Sequence, residues 1–337
     1  MAKKPIHVTS EIGDLQRVVL HRPGRELANM KAAEFEKCWI HDAFYLEYAQ
    51  KEHDAFANIL REAGSEVLYM EELLAEAMDA NPVARAAFLD EYMAQAPIPD
   101  PALVPLVREK LDAIEGNREL VAKALAGMRL HELDLASGPR TLSRLEGDGL
   151  APDDFVVYSM PSSYFSRDPI ASIGTGVALH RMYYNQRNRE VPFYKTFLTY
   201  HPDFAGTPFW YDNHSAAHIE GGDVLNINEH TLAVGISQRT QAAAIDVMAQ
   251  NIFWNSDSKV DRILAFDIPN NRAMMHLDTV FTQIDVDKFT IHPAIMGTLK
   301  VYELTPGTTP GDVKIKEICD TLEHILEDAT GVDQIKL

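Results

Sequence analysis

The stretch VLNINEHTLAVGISQRTQAAAIDVMAQNIFWNSDSKVDRILAF, residues 224–266, decides the fold. It opens with two apolar runs, Val224-Leu225-Asn226-Ile227 and Thr231-Leu232-Ala233-Val234-Gly235-Ile236, broken by Asn228–His230. Short apolar runs around such a break pair as a hairpin. A helix is predicted from Thr240 to about Phe253, with Ala244, Val247, Met248 and Ile252 on one face. Ile263-Leu264-Ala265-Phe266 is then a third strand. The order strand, strand, helix, strand predicts a mixed α/β chain.

The same order recurs outward from this stretch. Phe155–Tyr158, Ile170–Ile173 and Gly176–Leu179 precede it as strands, and Val280–Asp285 and Phe289–His292 start a further unit. Ile315, Ile318, Cys319, Leu322, Ile325, Leu326 and Ala329 are read as the stripe of a final helix. Gln334-Ile335-Lys336-Leu337 reads as a strand just beginning, so the expectation is a chain that is incomplete or completed by something else. Toward the N-terminus, Gln16–Leu20 is a strand closed at Pro23-Gly24. Leu46, Ala49, His53, Phe56 and Leu60 mark a helix stopped by Gly64, and Val67–Tyr69 is a strand. Between Glu71 and Gly149 the texture changes to Ala-, Leu- and Glu-rich runs with no strand pattern, which predicts four or five short helices. The expected division is therefore 1–70, an α/β unit; 71–150, an inserted helical bundle; and 151–337, further α/β units.

Composition narrows the function. The 337 residues are 46% hydrophobic and 24% charged, an ordinary globular balance. With 31 basic and 50 acidic residues the net charge is −19, which disfavours nucleic acid and anionic lipid but leaves room for a small cationic substrate. No window approaches the ~18 consecutive apolar residues of a membrane span, and no signal peptide follows MAKKPIHV. Two cysteines, Cys38 and Cys319, fit a reducing compartment, and a cytoplasmic enzyme is expected. Both thiols are read as buried, Cys319 on its helix stripe and Cys38 beside Trp39 and Ile40.

Four polar segments lie where strands end, the usual place for a site. They are Tyr164–Pro169, His218–Asp223, Ser237–Thr240 and Met274–Thr279. In His276-Leu277-Asp278 the spacing puts both side chains on one face of an extended segment, either as an acid/base pair or as a surface strand pair. In Glu220-Gly221-Gly222-Asp223 two acids bracket glycines, either for close backbone approach or for a tight turn with solvated acids. Arg167-Asp168-Pro169 reads as a salt-bridged turn. His214 and His218 have metal-type spacing but no helix to carry it, and Gly174-Thr175-Gly176 lacks the third glycine of a dinucleotide site. No metal and no cofactor are expected. Asp168, Glu220, Asp223 and Asp278 with one histidine suit a planar guanidinium, since a carboxylate accepts two parallel hydrogen bonds from it. Arg187 or Arg239 could then hold an amino acid's carboxylate.

At these residues the sequence resembles arginine deiminases. Ile6–Gly13, Leu20–Gly24, Gln50–Phe56, Phe165–Pro169, Ile219–Asp223, Ile236–Thr240 and Met275–Thr279 match that family's motifs in order. The resemblance implies a pentein fold, a five-bladed α/β propeller of ββαβ units with an inserted helical bundle, its last unit incomplete in this chain. It implies that Asp168 and Asp278 grip the substrate guanidinium, that His276 is the acid/base assisted by Glu220, and that Arg187 and Arg239 hold the α-carboxylate. Asp223 falls among the substrate-binding residues, and Phe165 packs on the aliphatic part. A cysteine thiolate would form a thiouronium from L-arginine, with citrulline and ammonia as products. The sequence departs from the family in three places. No cysteine of the expected glycine- and arginine-rich segment is present, Ser162 stands for Asn, and His41-Asp42 stands for an acidic pair. A catalytically inactive paralogue that binds arginine, or assembles with an active partner, is the rival reading. A dimethylarginine hydrolase or amidinotransferase is a third, against which the insertion at 71–150 and the arginine pair speak. Homo-oligomerisation is left open.

Overall fold

A computed structural model describes residues 6–35, 45–135, 138, 141–146, 149–255, 257–296 and 299–337. The readings at Cys38, His41 and Asp42 lie outside the described residues. Contacts group the chain into two compact units: residues 15–166 with 184–205, and residues 1–14 with 167–183 and 206–337.

The first unit is mainly helical. Strand β1 (Arg17–Leu20) pairs in parallel with β2 (Glu66–Tyr69), and α1 (Arg25–Ala28) and α2 (Leu46–Glu62) lie between them in the chain. Gly64 takes φ +95° and ends the helix as its sequence position predicts. Phe56 does not belong to the inner face of α2: it is 52% exposed, and Ala57 is the residue buried there. Five helices follow, α3 (Met70–Ala80), α4 (Pro82–Gln95), α5 (Val104–Asp112), α6 (Asn117–Ala126) and α7 (Leu142–Glu146). The start of α4 is set locally, by the Asn81 side chain accepting from Val83 N and by Pro82 in the first turn. A two-residue strand, β3 (Met128–Arg129), pairs with β4 (Phe155–Val157). It was not expected, because two residues are too few to show a period. Helix α8 (Val191–Tyr200) packs on α3 and α4, where Phe193 meets the edge of Phe88 at 4.9 Å.

The second unit is built from sheets. Strands β5 (Ile170–Ile173) and β6 (Gly176–Leu179) form a hairpin, and β7 (Phe209–Tyr211) adds in parallel to β6. Val8 bridges Gly174 at this hairpin. A five-stranded sheet contains β8 (Val224–Asn226), β9 (Thr231–Ile236), β10 (Arg262–Asp267), β13 (Lys300–Pro306) and β14 (Val313–Ile318) in the order β14-β13-β10-β9-β8. Strand β8 is antiparallel to β9, and β10 is parallel to it across α9 (Ala242–Asn255), so the stretch 224–266 is the expected ββαβ unit. Strands β11 (Phe281–Asp285) and β12 (Lys288–Ile291) form a separate ladder, and α10 (Leu322–Thr330) is the last helix.

Two apolar cores explain the continuous apolar runs of β9 and β10. Leu232, Val234, Ile263 and Ala265 face one core with Trp210 and Met248. The alternate residues Ala233, Leu264 and Phe266 face the other with Leu277, Phe281 and Leu326. On α9 the buried stripe is Ala244, Ile245, Met248, Ala249 and Ile252; Val247 is 40% exposed.

The final helical stripe is corrected. Ile315 and Ile318 are in β14, whose alternating sequence VKIKEI is that of an edge strand, and Cys319 is exposed in the link to α10. The spacing of residues 315, 318, 319 and 322 imitates a helix only because a strand and a helix follow each other closely. Ile335 is buried, and Lys336 makes one isolated parallel bridge with Lys288. The architecture is mixed α/β, with sheets of two, three and five strands among the described residues. No helix among the described residues is long and apolar enough to cross a membrane.

Candidate active site

The topology of the sheet unit gathers three of the four polar segments. The start of β8, the end of β9 and the end of β10 lie side by side because β8 runs antiparallel and β10 parallel to β9. The segments attached there are Glu220–Asp223, Ser237–Thr240 and His276–Asp278. The fourth contributes Asp168, just before β5, whose main-chain carbonyl accepts from Gly221 N at 3.1 Å.

Asp223 ties the three loops together. Its Oδ2 accepts from the hydroxyls of Ser237 and Thr240, both at 2.6 Å, and its Oδ1 accepts from Leu277 N at 2.8 Å. Ser237 Oγ in turn accepts from the main-chain N–H groups of Arg239 and Thr240. Burial raises the Asp223 pKa to about 6 against the opposing charge of His276 and its three hydrogen bonds. Its carboxylate has no exposed surface and three donors, so the expected substrate contact at Asp223 meets a group already committed to the protein.

Glu220 is also fully buried. Its Oε1 accepts from Tyr183 N at 3.0 Å; its Oε2 lies 2.8 Å from His276 Nε2 and 3.3 Å from Arg239 Nη1. The solvated turn is therefore excluded: Glu220 and Asp223 flank a short 3-10 turn and are both interior. Gly222 is required by packing, since a Cβ there would lie 2.5 Å from His276 Nδ1. At Gly221 a Cβ would run into the Arg167 carbonyl.

Burial by itself lowers the His276 pKa, but the hydrogen bond to Glu220 and the charges of Asp168, Asp223 and Glu220 outweigh it, and the pKa stands above the ordinary value. His276 and Asp278 do not share a strand face. His276 is extended, Leu277–Thr279 is a 3-10 turn, and Asp278 is exposed while His276 is buried. The surrounding protein still desolvates Asp278 and raises its pKa; His276 and Arg167 oppose this, and Asp168 and Glu11 add to it.

Arg239 is buried, paired with Glu220 and 5.4 Å from the centre of the Tyr183 ring. Phe165 and Arg187 belong to the helical unit. Phe165 is exposed beside Tyr164, ring centres 4.2 Å apart, and Arg187 makes a two-point ion pair with Glu190 at 2.9 and 2.8 Å. Ser162, also in that unit, accepts from Phe165 N through its main-chain carbonyl. His218 lies with its Nδ1 2.8 Å from the Arg239 carbonyl and steadies that loop.

Several participants find their partners only in the folded chain. Arg167 donates to the Gly221 and Val224 carbonyls and pairs with Glu11 at 3.2 Å through both terminal nitrogens. Glu11 also accepts from Asn226 N at 2.9 Å. His180, after β6, is wholly buried. Ser237 and Thr240 were legible as a polar segment but not as the partners of Asp223.

The gathered loops thus hold a buried cluster of opposite charges, Glu220 with His276 and Arg239. A sequence profile described as ADI, arginine deiminase, matches residues 38–337. The arginine deiminase of Treponema denticola is 45% identical over 333 residues, 98% of this chain and 80% of the relative. That of Streptococcus pyogenes is 45% identical over 339 residues, 100% of this chain and 81% of the relative. Among solved structures, a DDAH from Pseudomonas aeruginosa, in a cysteine-to-serine form complexed with citrulline, has a TM-score of 0.42 at 12% identity, covering 82% of this chain and 69% of that one. The chain belongs to the arginine deiminase family.

Proposed function

We propose that this protein binds L-arginine and is built for hydrolysis of its guanidinium to L-citrulline and ammonia. One observation carries the reading: a buried His276–Glu220 pair at 2.8 Å stands on the loop that also bears Asp278, and Gly221 N, next to Glu220, holds the Asp168 main chain at 3.1 Å. Two carboxylates carried by these loops suit a cation, and a guanidinium presents a planar set of donors to carboxylates. Arg239 is assigned to the substrate's α-carboxylate. Asp223 serves as a positioning residue for His276 through Leu277 N.

In the reaction a thiolate attacks the guanidinium carbon, and the protonated His276 gives its proton to the departing nitrogen, which leaves as ammonia. Water then attacks the thiouronium, giving its proton to His276. The carbon–sulfur bond breaks as the added hydroxyl releases its remaining proton to solvent, where ammonia takes it up as ammonium, leaving citrulline and the thiolate. Glu220 keeps the imidazole oriented and favours its charged form. Neither Cys38 nor Cys319 is assigned as the thiolate. We also read the fold as a pentein-type propeller of ββαβ units in which residues 71–150 are an inserted bundle. The pairing of β5–β6 with β7 repeats that of β8–β9 with β10 and supports this.

Calorimetry with L-arginine tests the reading. Asp168→Ala and Asp278→Ala are each expected to weaken binding at least ~10-fold, the equivalent of one charge-assisted contact. Affinity should also fall on acidification, because the raised pKa of Asp278 neutralises it earlier than an ordinary aspartate. Unchanged affinity in both variants would overturn the assignment.

A further inference from the structure

His180 has no part in the chemistry above, yet it is wholly buried at the end of β6, where the β5–β6 hairpin sets it beside the Asp168 turn. Its Nδ1 lies 2.7 Å from the main-chain carbonyl of Asp168, and its own N–H donates to the Pro169 carbonyl at 3.0 Å. A carbonyl only accepts, so Nδ1 carries the hydrogen. Nε2 is buried with no partner among the described residues. An unpaired buried nitrogen is unfavourable, and an apolar side chain would fill the same space without one. The imidazole therefore stands there for its other nitrogen.

The charged groups that act on His180 are Asp168, Glu220 and Arg167. Burial outweighs them all and holds its pKa down at about 4, so the ring is neutral when the site works. The Asp168 carbonyl also accepts from Gly221 N, so the same peptide joins His180 to the Glu220–Asp223 loop.

We propose that His180 is a positioning residue: its Nδ1–H pins the Asp168 main chain and thereby holds the Asp168 carboxylate where its charge acts on His276. The proposal deepens the arginine reading and rests on it for its catalytic meaning, but its test uses no arginine. In nitrogen-15 NMR of the wild-type protein, His180 should be neutral near neutral pH with its proton on Nδ1. A proton on Nε2 would overturn the proposal without any variant. The titration of His276 is then compared in three proteins. In His180→Leu the Asp168 charge is no longer held, and His276 should titrate at a lower pH than in the wild type. In His180→Asn an amide N–H stands near the Nδ1 position, and the wild-type titration should return. A general loss of stability would not produce this split between two substitutions. Wild-type titration of His276 in folded His180→Leu would sink the idea, as would equal downward shifts in both variants. Failure of the wild type to bind arginine would instead refute the function and leave the NMR result standing.

Discussion

At the scale of single residues, the two buried acids differ in what their burial does. Glu220 is matched by His276 and Arg239, whereas Asp223 is held mainly by neutral donors, two hydroxyls and one main-chain N–H. Neutral donors do not repay the desolvation of a carboxylate, hence a folded pKa of about 6 against an ordinary 3.8. The sign follows directly. A group bound to its proton more tightly when folded contributes most below its unfolded pKa, and that contribution is lost as pH rises through the folded value. Asp223→Asn has no such titration. The stability advantage of wild type over Asp223→Asn should therefore be larger near about pH 4 than near about pH 7.5, as read by urea unfolding at both. A constant difference would mean that Asp223 is already ionised, or already neutral, throughout.

At the scale of elements, the turn before β8 and the loop after β10 are joined by close approach, not only by hydrogen bonds. Gly222 lets the His276 ring lie against the 3-10 turn; Gly222→Ala should push the ring off Glu220 and cost about 1–3 kcal/mol of stability, as overpacking does. Urea unfolding and the His276 titration check both halves, and an unaltered titration would show that the ring has room to spare. The same elements show what the sequence discloses. Strands β8, β9 and β10 were legible because both faces of the sheet are buried and the runs are apolar throughout. The motif residues were legible as polar segments at strand ends. The exposed β14 was mistaken for helix, since an edge strand with VKIKEI has no buried face to mark its period. His180 and Glu11 were not legible as site components, and Arg167 was legible as a salt-bridged turn but not as the partner of Glu11 and of the Gly221 and Val224 carbonyls, because those groups are brought near only in the folded chain.

At the scale of the whole molecule, the thiol count makes a simple forecast. The 337 residues hold two cysteines, and Cys319 is exposed between β14 and α10, away from the gathered loops in sequence and topology. A preparation of this chain should bind arginine yet release no citrulline, and Cys319→Ser should leave binding unchanged. Citrulline formation that disappears in Cys38→Ser would assign the nucleophile to Cys38 after all. A last consequence comes from Glu11, whose partners Arg167 and Asn226 lie 156 and 215 residues further along the chain. On a ribosome adding about 5–20 residues each second, Glu11 waits roughly 10–40 s before Asn226 has even been synthesised. Arg167 is made first, and until Asn226 follows it the Glu11 carboxylate holds only part of its native set of partners.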